Sequence, residues 1–566
     1  HEYGGGAFLV RAGRIWFSND SDQRLYQMAG NGEAEAVTRE GPYRYADFAF
    51  DSKRSRLICV REDHGGVGEP VNALVAVALD GGQVQVIASG HDFYSNPRLS
   101  PDGRQLCYLA WDHPRMPWDG TTLYRCPLDD AGLPGRAQAV AGGEDQSLFQ
   151  PEWSPQGGLY FVSDRSGWWN LYRFEGDRTT SVFSREKEFG RPQWVFNMRT
   201  YGFTREGDVV AAGCSQGSWS LYRVDVDSGN GEQISLPYSE IDDIAVEGDQ
   251  ALLIAGAPER AQAVVQLDLN SGETEVVRES TTLALDHTYI SVPESVSFPT
   301  GDGDEAHGFF YPPVNAEFEG PDKEVPPLIV IGHGGPTGAT GVSLRLAIQF
   351  WTSRGFAVLD VNYRGSTGYG RAYRHRLYGE WGIVDVEDCV NGARWLAQLG
   401  RVDGNRLIIR GSSAGGYTTL AALTFHEVFR AGASYYGIGE LEILARDTHK
   451  FESRYLDQLI GPYPEKKDLY AERSPLNHAD RLSCPVIFFQ GLEDKVVPPN
   501  QAEMMAEALE DKGIPVALLE FEGEQHGFRK ADTIRRTLEA ELYFYGFVFG
   551  FKPADEIEPV RIVNAR

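Results

Sequence analysis

The stretch Gly411-Ser412-Ser413-Ala414-Gly415 decides how this sequence is interpreted. It follows an apolar run at 407–409 that is typical of a buried strand, and it leads into residues 417–423, which are typical of a helix. A Gly-x-Ser-x-Gly pattern on a strand-to-helix turn forms a nucleophile elbow, because its glycines allow a tight turn and its strained backbone exposes the serine Oγ. The stretch therefore predicts that Ser413 is the nucleophile of a serine hydrolase.

A second copy of the pattern shows how weak the bare motif is. Residues 213–217 also read Gly-x-Ser-x-Gly, but they are followed by the alternating run 219–224, which predicts a strand instead of a helix. Without a helix N-terminus after the serine, no backbone N–H group points at a developing anion. We therefore interpret Ser215 as part of a loop between two strands.

Length and charge limit the classes of function. A chain of 566 residues is too long for a single core, so two or three domains are expected. The formal net charge of −28 opposes binding to nucleic acid and to anionic membrane surfaces. No long acidic block is present, so solubility explains this charge better than an acidic tail does.

Six cysteines are scattered without Cys-x-x-Cys pairs or metal-ligand spacing, so neither a metal nor another cofactor is predicted. Several lie in apolar, strand-like runs where a free thiol is expected, which favours a reducing compartment and a cytoplasmic location. No run of about 18 apolar residues occurs, so no membrane span is predicted. The sequence starts at His1 instead of Met, so a leader or an upstream segment would not be visible in it.

The first half of the chain repeats. Strand-like segments of the Leu-Tyr-Arg kind, or weaker copies, start at residues 25, 74, 123, 171, 221 and 264, in steps of 49, 49, 48, 50 and 43. Turn signals lie upstream of several copies, as at 100–103 and 154–157. About four short strands per period of nearly 50 residues are typical of a β-propeller blade. We therefore predict an all-β propeller with six blades over residues 1–285.

The pattern changes in residues 286–566. Strand-like runs begin at 328, 357, 407, 486 and 516, and helical stretches lie near 385–399, 414–427, 499–512 and 530–546. Such alternation predicts a doubly wound, mostly parallel sheet with helices on both faces, which is the α/β-hydrolase arrangement. The first strands of this domain are expected between 293 and 313. Catalytic groups should lie at the carboxyl ends of the parallel strands.

A serine hydroxyl needs a base within hydrogen-bond reach, and in α/β-hydrolases the acid and then the histidine follow the serine along the chain. His526 is the predicted base because it lies in a loop between a strand and the last helix. His426 lies in the helix that begins at the nucleophile, where a capping or packing role is expected. His449 and His478 lie in irregular stretches with no strand directly before them.

Asp494 is the predicted acid. It follows the strand that starts at Val486, and its role would be to hold the His526 tautomer and to stabilise the imidazolium. Glu493 is the alternative acid, although it can also be interpreted simply as a solvated surface residue.

An oxyanion intermediate needs two backbone N–H donors. One is predicted to be the N–H of Ala414, directly after the nucleophile. The other is predicted to come from the glycine turn 332–336, with Gly334 and Gly335 as candidates, because glycine lets the backbone approach a substrate carbonyl closely.

With these residues in place, the chain resembles the prolyl oligopeptidase family of serine peptidases, and most closely its acylaminoacyl-peptidase and dipeptidyl-aminopeptidase-like branch. The segments that carry the resemblance are 333–336, 362–370, 411–417, Asp494 and 526–528, together with 111–120 and 1–6 in the first half. The resemblance implies Ser413, Asp494 and His526 as the catalytic triad, in agreement with the interpretation from the residues alone.

The resemblance also implies a primary specificity pocket lined by Tyr435 or Tyr436, with help from Val496 and Val497. In one respect the sequence departs from the family, whose propeller usually has seven blades. Either a blade lies upstream of His1, or the ring closes differently. In the family, the propeller admits only short or unfolded peptides, and a gap in the ring would affect that size filter.

These features predict a serine peptidase that cleaves short peptides through an acyl-enzyme, as an aminopeptidase, dipeptidyl-peptidase or acylaminoacyl-peptidase. The alternative is an esterase or amidase that acts on aminoacyl small molecules such as nucleoside antibiotics. A binding scaffold with an incidental hydrolase is the third hypothesis, which the intact triad disfavours. The expected partner is a peptide or aminoacyl substrate, not nucleic acid or membrane, and a homo-oligomer is compatible with the sequence. The residue that would bind a substrate amine is not identified, and Glu152 is one guess among several.

Overall fold

The first half of the chain forms six four-stranded antiparallel sheets in a computed structural model that describes residues 4–30 and 32–565. In each sheet the four strands follow one another in chain order, so every sheet is a meander. The strands are β1–β4 (Phe8–Arg11, Arg14–Ser18, Leu25–Ala29, Glu35–Ala36), β5–β8 (Tyr43–Asp51, Arg56–Asp63, Val71–Ala78, Val84–Ser89), β9–β12 (Phe93–Leu99, Gln105–Trp111, Thr122–Pro127, Gln138–Gly142), β13–β16 (Leu148–Trp153, Leu159–Ser163, Asn170–Glu175, Arg178–Phe183), β17–β20 (Tyr201–Phe203, Val209–Ser215, Ser218–Val224, Gly231–Ile234) and β21–β24 (Glu240–Glu247, Gln250–Ala257, Arg260–Asp268, Thr274–Glu279). The six-bladed propeller predicted from the repeat is thereby confirmed.

The repeated segments occupy equivalent places in these blades. Each of the six starting positions falls in the third strand of its blade, from Leu25 in β3 to Val264 in β23. The turn signals at 100–103 and 154–157 connect the first strand of a blade to the second. The period of nearly 50 residues therefore arises because one blade is one repeat. The first three residues of segment 1–6 lie outside the described residues.

The second half is built around an eight-stranded sheet with the order β25-β26-β28-β27-β29-β30-β31-β32. The first two strands are antiparallel, β26 pairs antiparallel with β28, and every later pair is parallel. The strands are β25 (Glu294–Pro299), β26 (Glu305–Tyr311), β27 (Leu328–Gly332), β28 (Ala357–Asn362), β29 (Leu407–Ser412), β30 (Ala431–Tyr435), β31 (Val486–Gly491) and β32 (Val516–Phe521). This is the predicted mostly parallel α/β-hydrolase sheet.

Eight helices in the described residues lie between the parallel strands and a ninth follows the last strand. They are α1 (Leu346–Thr352), α2 (Arg371–Arg374), α3 (Val384–Gln398), α4 (Ala414–Phe425), α5 (Leu441–Asp447), α6 (Tyr455–Leu459), α7 (Lys467–Arg473), α8 (Asn500–Asp511) and α9 (Ala531–Phe549). The short helices α5, α6 and α7 lie in the long connection between β30 and β31, where the sequence showed no clear periodicity. The predicted domain boundary between 285 and 286 stays a prediction, and it falls in the segment that joins β24 to β25.

The propeller and the α/β part share a buried interface. The Arg374 guanidinium of α2 pairs with the Asp164 carboxylate of the propeller at 2.6 Å, and neither side chain is exposed to solvent. The same guanidinium lies 4.1 Å from the centre of the Trp169 ring. Burial raises the pKa of Asp164, whereas Arg374 opposes that shift. This buried ion pair fixes how the two parts face each other, because separating them would leave an unpaired charge in a buried place.

Two further contacts cross this interface near the strand ends that carry the candidate site. The Trp194 indole N–H donates to the carbonyl of Thr337 at 2.7 Å. The Lys450 ammonium donates to the propeller carbonyls of Pro70 and Asp92, each at 2.9 Å. The propeller therefore holds both the turn after β27 and the segment between α5 and α6.

Candidate active site

The turn that carries Ser413 has the backbone of a nucleophile elbow. Ser413 lies between β29 and α4 with φ 55° and ψ −121°, a strained conformation for a residue with a side chain. Glycine is required on both sides of it. A Cβ on Gly411 would lie 2.2 Å from the carbonyl oxygen of Gly415, and one on Gly415 would lie 2.1 Å from that of Gly332. The backbones of β27, β29 and α4 thus pack so closely that these two positions require glycine.

Ser413, His526 and Asp494 form a continuous hydrogen-bonded chain. The Ser413 Oγ and the His526 Nε2 are 2.8 Å apart, and the His526 Nδ1 and the Asp494 Oδ2 are also 2.8 Å apart. The Asp494 carboxylate is held in place by the backbone, because its Oδ1 accepts the N–H groups of Val496 and Val497, each at 2.9 Å. An acceptor at Nδ1 selects the tautomer in which Nε2 carries the lone pair, so the geometry suits proton transfer from the serine hydroxyl.

The predicted oxyanion turn lies beside the nucleophile. Gly335 and Pro336 line the same small cavity as Ser413 and Ala414. Gly334 packs against the elbow, since a Cβ on it would come within 3.6 Å of the Ser413 Cβ. Ala414 is the first residue of α4, so its N–H precedes the intrahelical hydrogen bonds and remains available to an anion.

Two stacked rings, those of the buried Tyr363 and the half-buried His333, hold this turn in place, and no role was predicted for either side chain. The Tyr363 ring stacks on the His333 ring with 4.2 Å between the centroids. The Tyr363 hydroxyl can donate to the carbonyls of His333 at 3.0 Å and Pro336 at 3.2 Å. Burial lowers the pKa of His333 to about 4, so its imidazole is neutral, and its Nε2 lies 2.7 Å from the Ser366 Oγ. The resemblance segment 362–370 therefore supports the turn instead of contributing reacting groups.

The small cavity beside Ser413 has mostly apolar walls. Val496 and Val497 line it, together with side chains for which no role was predicted, namely Trp381, Ile438, Leu444, Tyr455, Leu456 and Leu459. Among its described lining residues, Glu452 alone has an ionisable carboxylate. This side chain is partly buried and lies in the segment between α5 and α6 that Lys450 ties to the propeller. The cavity is thus an apolar pocket with one acid at its wall.

The two tyrosines of the predicted pocket lie elsewhere. Tyr435 is 7% exposed, and its hydroxyl donates to the Glu541 carboxylate at 2.6 Å inside the core of the α/β part. Tyr436 packs edge-on against the His526 ring with 4.9 Å between the centroids. Neither belongs to the described lining of the small cavity. The Tyr435 side chain thus packs in the core of the α/β part, and Tyr436 packs against the histidine.

A larger cavity of about 1030 Å³ opens on the other side of His526. The propeller contributes Arg44, His64 and Glu69 to its wall, and the α/β part contributes the segment 445–457 together with Lys495 and Arg529. Thr448, Leu456 and Val496 line both cavities, so the two spaces adjoin. The catalytic histidine candidate therefore faces a wide, polar space, while the serine faces a narrow, apolar one.

The alternatives considered from the sequence lie apart from this site. Ser215 ends β18 and is separated from β19 by a two-residue turn, so no helix follows it. Glu152 is engaged by Arg98 at 2.9 Å within the propeller. His426 follows the last residue of α4, and Glu493 is exposed at the wall of the large cavity.

None of the described helices combines the length and the apolar character that crossing a bilayer requires. No described cluster of three or more histidine, cysteine, aspartate or glutamate side chains could hold a metal ion.

Comparison with known proteins places the chain in a family. A model of the prolyl oligopeptidase family matches residues 342–552. The solved structure of a puromycin-hydrolyzing peptidase from Mycobacterium tuberculosis is similar over 99% of this chain and 89% of that chain, with 40% sequence identity and a TM-score of 0.96. The chain belongs to the prolyl oligopeptidase family.

Further relatives of the family agree with this assignment. The crystal structure of a puromycin hydrolase is 39% identical and covers 99% of this chain and 88% of that chain, with a TM-score of 0.94. The dipeptidyl aminopeptidase BIII of Pseudoxanthomonas mexicana is 32% identical over 212 residues, which are 36% of this chain and 31% of that protein. The match with this chain spans between about a third and a half of the length of the first curated relatives.

Proposed function

We propose that this protein is a serine aminopeptidase that removes an apolar residue with a free α-amine from short peptides. The observation that carries the proposal is the hydrogen-bonded chain from Ser413 through His526 to Asp494, set between an apolar pocket and a wide cavity. Relatives whose names include aminopeptidase and peptidase support the reaction class.

The geometry supports a two-step acyl transfer. His526 Nε2 takes the proton of the Ser413 hydroxyl while Oγ bonds to the scissile carbonyl carbon. The oxyanion is bound by the N–H of Ala414 and by a backbone N–H of the Gly334–Gly335 turn. The C–N bond then breaks as His526 protonates the leaving amine, and a water molecule deprotonated by His526 hydrolyses the ester on Ser413. Each donor of this kind contributes about 2.7–4 kcal/mol to transition-state stabilisation.

Glu452 is the proposed acceptor for the substrate amine. A residue whose carbonyl carbon is bonded to Ser413 and whose side chain fills the apolar pocket has its α-amine within the same space. Glu452 is the single carboxylate among the described lining residues of that pocket. A hydrogen bond between an ammonium and a carboxylate in such a partly desolvated place is worth about 1.5–3 kcal/mol.

A second candidate function is hydrolysis of an aminoacyl amide on a nucleoside. The observation that favours it is the 40% identity to a puromycin-hydrolyzing peptidase over nearly the whole chain. The same pocket and the same carboxylate would bind the aminoacyl group, so only the leaving group differs. Comparing an aminoacyl nucleoside with short peptides at equal concentration distinguishes the two functions.

The test compares an alanine p-nitroanilide that has a free amine with its N-acetylated counterpart. We expect the wild-type protein to prefer the free amine, and Glu452→Gln to lower kcat/KM for that substrate by about 10- to 150-fold. Glu452→Asp should restore part of the loss. Glu493→Gln is the matched control, because it removes a carboxylate from the large cavity and leaves the small one unchanged.

Different outcomes overturn different parts of the proposal. Equal or better cleavage of the acetylated substrate would mean an acylaminoacyl-peptidase or an endopeptidase, and would contradict the aminopeptidase assignment. A preference for the free amine that Glu452→Gln leaves intact would move the amine site to another residue. Activity that survives in Ser413→Ala would refute the role of the serine.

A cytoplasmic location is also proposed. All six cysteines are free thiols in the described structure, and five of them are buried. Free buried thiols suit a reducing compartment, where disulfides do not persist. Fractionation of the source cells tests this proposal, and activity confined to an extracellular fraction would contradict it. Size-exclusion chromatography would test the homo-oligomer that the sequence allows.

A further inference from the structure

The large cavity carries a charge opposite to that of the whole protein. The chain has 81 acidic and 53 basic residues. The wall of the cavity instead combines six basic side chains with four acidic ones, and these are Arg44, Arg446, Lys450, Arg454, Lys495 and Arg529 against Asp20, Glu69, Asp457 and Glu493. An excess of one sign of charge on a concave surface raises the local concentration of the opposite ion. The space beside His526 is therefore suited to an anionic group.

Three of these cations are already engaged. Arg446 pairs with Glu442, Arg454 pairs with Asp457 at 2.7 Å, and Lys450 donates to two propeller carbonyls. Of the other three cations, Arg44 belongs to β5 of the propeller, whereas Lys495 and Arg529 belong to the α/β part. Within the described residues, the structure gives the side chains of Lys495 and Arg529 no ion pair and no hydrogen bond. Both are exposed at the cavity wall, so their donors remain available to a ligand.

Lys495 and Arg529 are tied by the chain to the catalytic groups. Lys495 directly follows Asp494, and Arg529 lies three residues after His526 in the turn that leads to α9. Arg529 is held there by its own backbone N–H, which donates to the buried Glu524 carboxylate at 2.9 Å. The two cations therefore approach the site from its histidine side, where both strand-end loops meet.

The histidine side is the leaving-group side of the reaction. His526 must deliver a proton to the departing amine, so that amine and whatever it carries lie in the same cavity as His526. The acyl group lies with Ser413 and Ala414 in the small apolar pocket. A volume of about 1030 Å³ is at the upper end of ligand-sized pockets and has room for more than one residue.

We propose that Lys495 and Arg529 bind the α-carboxylate of a short leaving peptide, so that the protein selects small peptides with a free C-terminus. This inference rests on the proposed peptidase function and adds the chemical class of the leaving group. It disfavours leaving groups without negative charge, such as an uncharged nucleoside. Glu493 faces the same cavity and weakens the field, which makes it an internal control of opposite sign.

The experiment measures cleavage of Ala-Gly-Gly and of Ala-Gly-Gly-amide, with released glycyl products separated by chromatography. We expect the free acid to be cleaved about two- to thirtyfold more efficiently in kcat/KM, since two exposed ion pairs contribute about 0.2–1 kcal/mol each. The preference should lie mainly in KM, and it should shrink in about 0.5 M salt because exposed charges are screened.

The double variant Lys495→Met and Arg529→Gln should reduce the acid-over-amide ratio to near one. The matched control is Lys552→Met and Arg535→Gln, which removes the same two charges from exposed positions outside the described lining of the cavity. This control should keep the wild-type ratio. Glu493→Gln should raise the ratio, because it removes the opposing carboxylate.

The outcomes separate this inference from the proposed function. If the wild-type protein cleaves alanine p-nitroanilide but treats the acid and the amide alike, the carboxylate site is refuted and the peptidase function stands. If neither peptide nor the p-nitroanilide is cleaved, the proposed function itself fails. A ratio that falls equally in the control double variant would show that total charge, not these two side chains, produces the preference.

Discussion

Removing the Tyr363 hydroxyl should slow the chemical step without changing the reacting groups. Tyr363 is fully buried, and its hydroxyl is 3.0 Å from the His333 carbonyl and 3.2 Å from the Pro336 carbonyl, at the two ends of the oxyanion turn. Tyr363→Phe keeps the ring that stacks on His333, so the variant tests the hydroxyl alone.

The size of the effect follows from two limits. A buried carbonyl that loses its donor costs about 1–3 kcal/mol of stability. Complete loss of one oxyanion donor would cost about 2.7–4 kcal/mol of transition-state stabilisation. Tyr363→Phe loosens the turn but leaves its backbone donors present, so its cost in transition-state stabilisation should be smaller than this second value. We therefore expect kcat to fall about 10- to 100-fold while KM changes by less than about threefold, because the donors act mainly in the transition state.

The assay is steady-state cleavage of alanine p-nitroanilide, combined with thermal unfolding of each variant. Tyr201→Phe is the matched control, since its buried hydroxyl donates to the Gln150 carbonyl at 2.8 Å inside the propeller. It should lose similar stability and keep its kcat. An unchanged kcat in Tyr363→Phe, or an equal drop in both variants, would refute the reasoning.

Three further predictions concern the acid, the elbow and the interface. Asp494→Asn should lower kcat by about 10⁴ with little change in KM, because the amide no longer fixes the tautomer of His526; stopped assays against Ser413→Ala as blank measure this. Gly415→Ala should leave little folded, active protein, because the new Cβ would lie 2.1 Å from the Gly332 carbonyl oxygen; soluble yield and activity report it. Glu188 of the propeller accepts the backbone N–H of Gly370 across the interface at 3.2 Å, and burial raises its pKa from 4.5 to about 7. Its neutral form therefore favours the folded state, and this stabilisation is present below pH 4.5 and is lost as the pH rises through about 7. Denaturant unfolding at about pH 5 and about pH 8 should show that wild type loses up to about 3 kcal/mol more than Glu188→Gln over that range, and parallel losses would contradict it.

Much of the fold could be predicted because each domain has its own period. A propeller blade repeats one antiparallel meander, so the same apolar strand recurs in its third position from Leu25 to Val264. The α/β part alternates strands with amphipathic helices, and the elbow, the acid and the histidine all follow strands. Strand ends in a parallel sheet converge on one edge, which is why Ser413, Asp494 and His526 could be selected together.

The pocket could not be predicted in the same way. Half of its described lining residues come from the connection between β30 and β31, which holds only short helices, and Glu452 is one of them. The Tyr435 hydroxyl donates to Glu541, which is more than a hundred residues away in α9. Only the three-dimensional packing shows that this hydroxyl is committed to the core.

The support of the oxyanion turn illustrates a similar limit. The residues around Tyr363 and Ser366 were recognisable as part of the family resemblance, but nothing in the sequence says that they stack on and bond to His333. Such contacts depend on the register of β28 beside β27. They become visible once the sheet order is known.

The most direct test of the account is labelling with a fluorophosphonate, followed by mass spectrometry of the intact protein and of its peptides. A serine activated by His526 should form a single covalent adduct on the peptide that contains Ser413, and Ser413→Ala should form none. Asp494→Asn should react far more slowly. An unreactive Ser413, or an adduct on Ser215 instead, would contradict the central claim that the elbow between β29 and α4 carries the nucleophile.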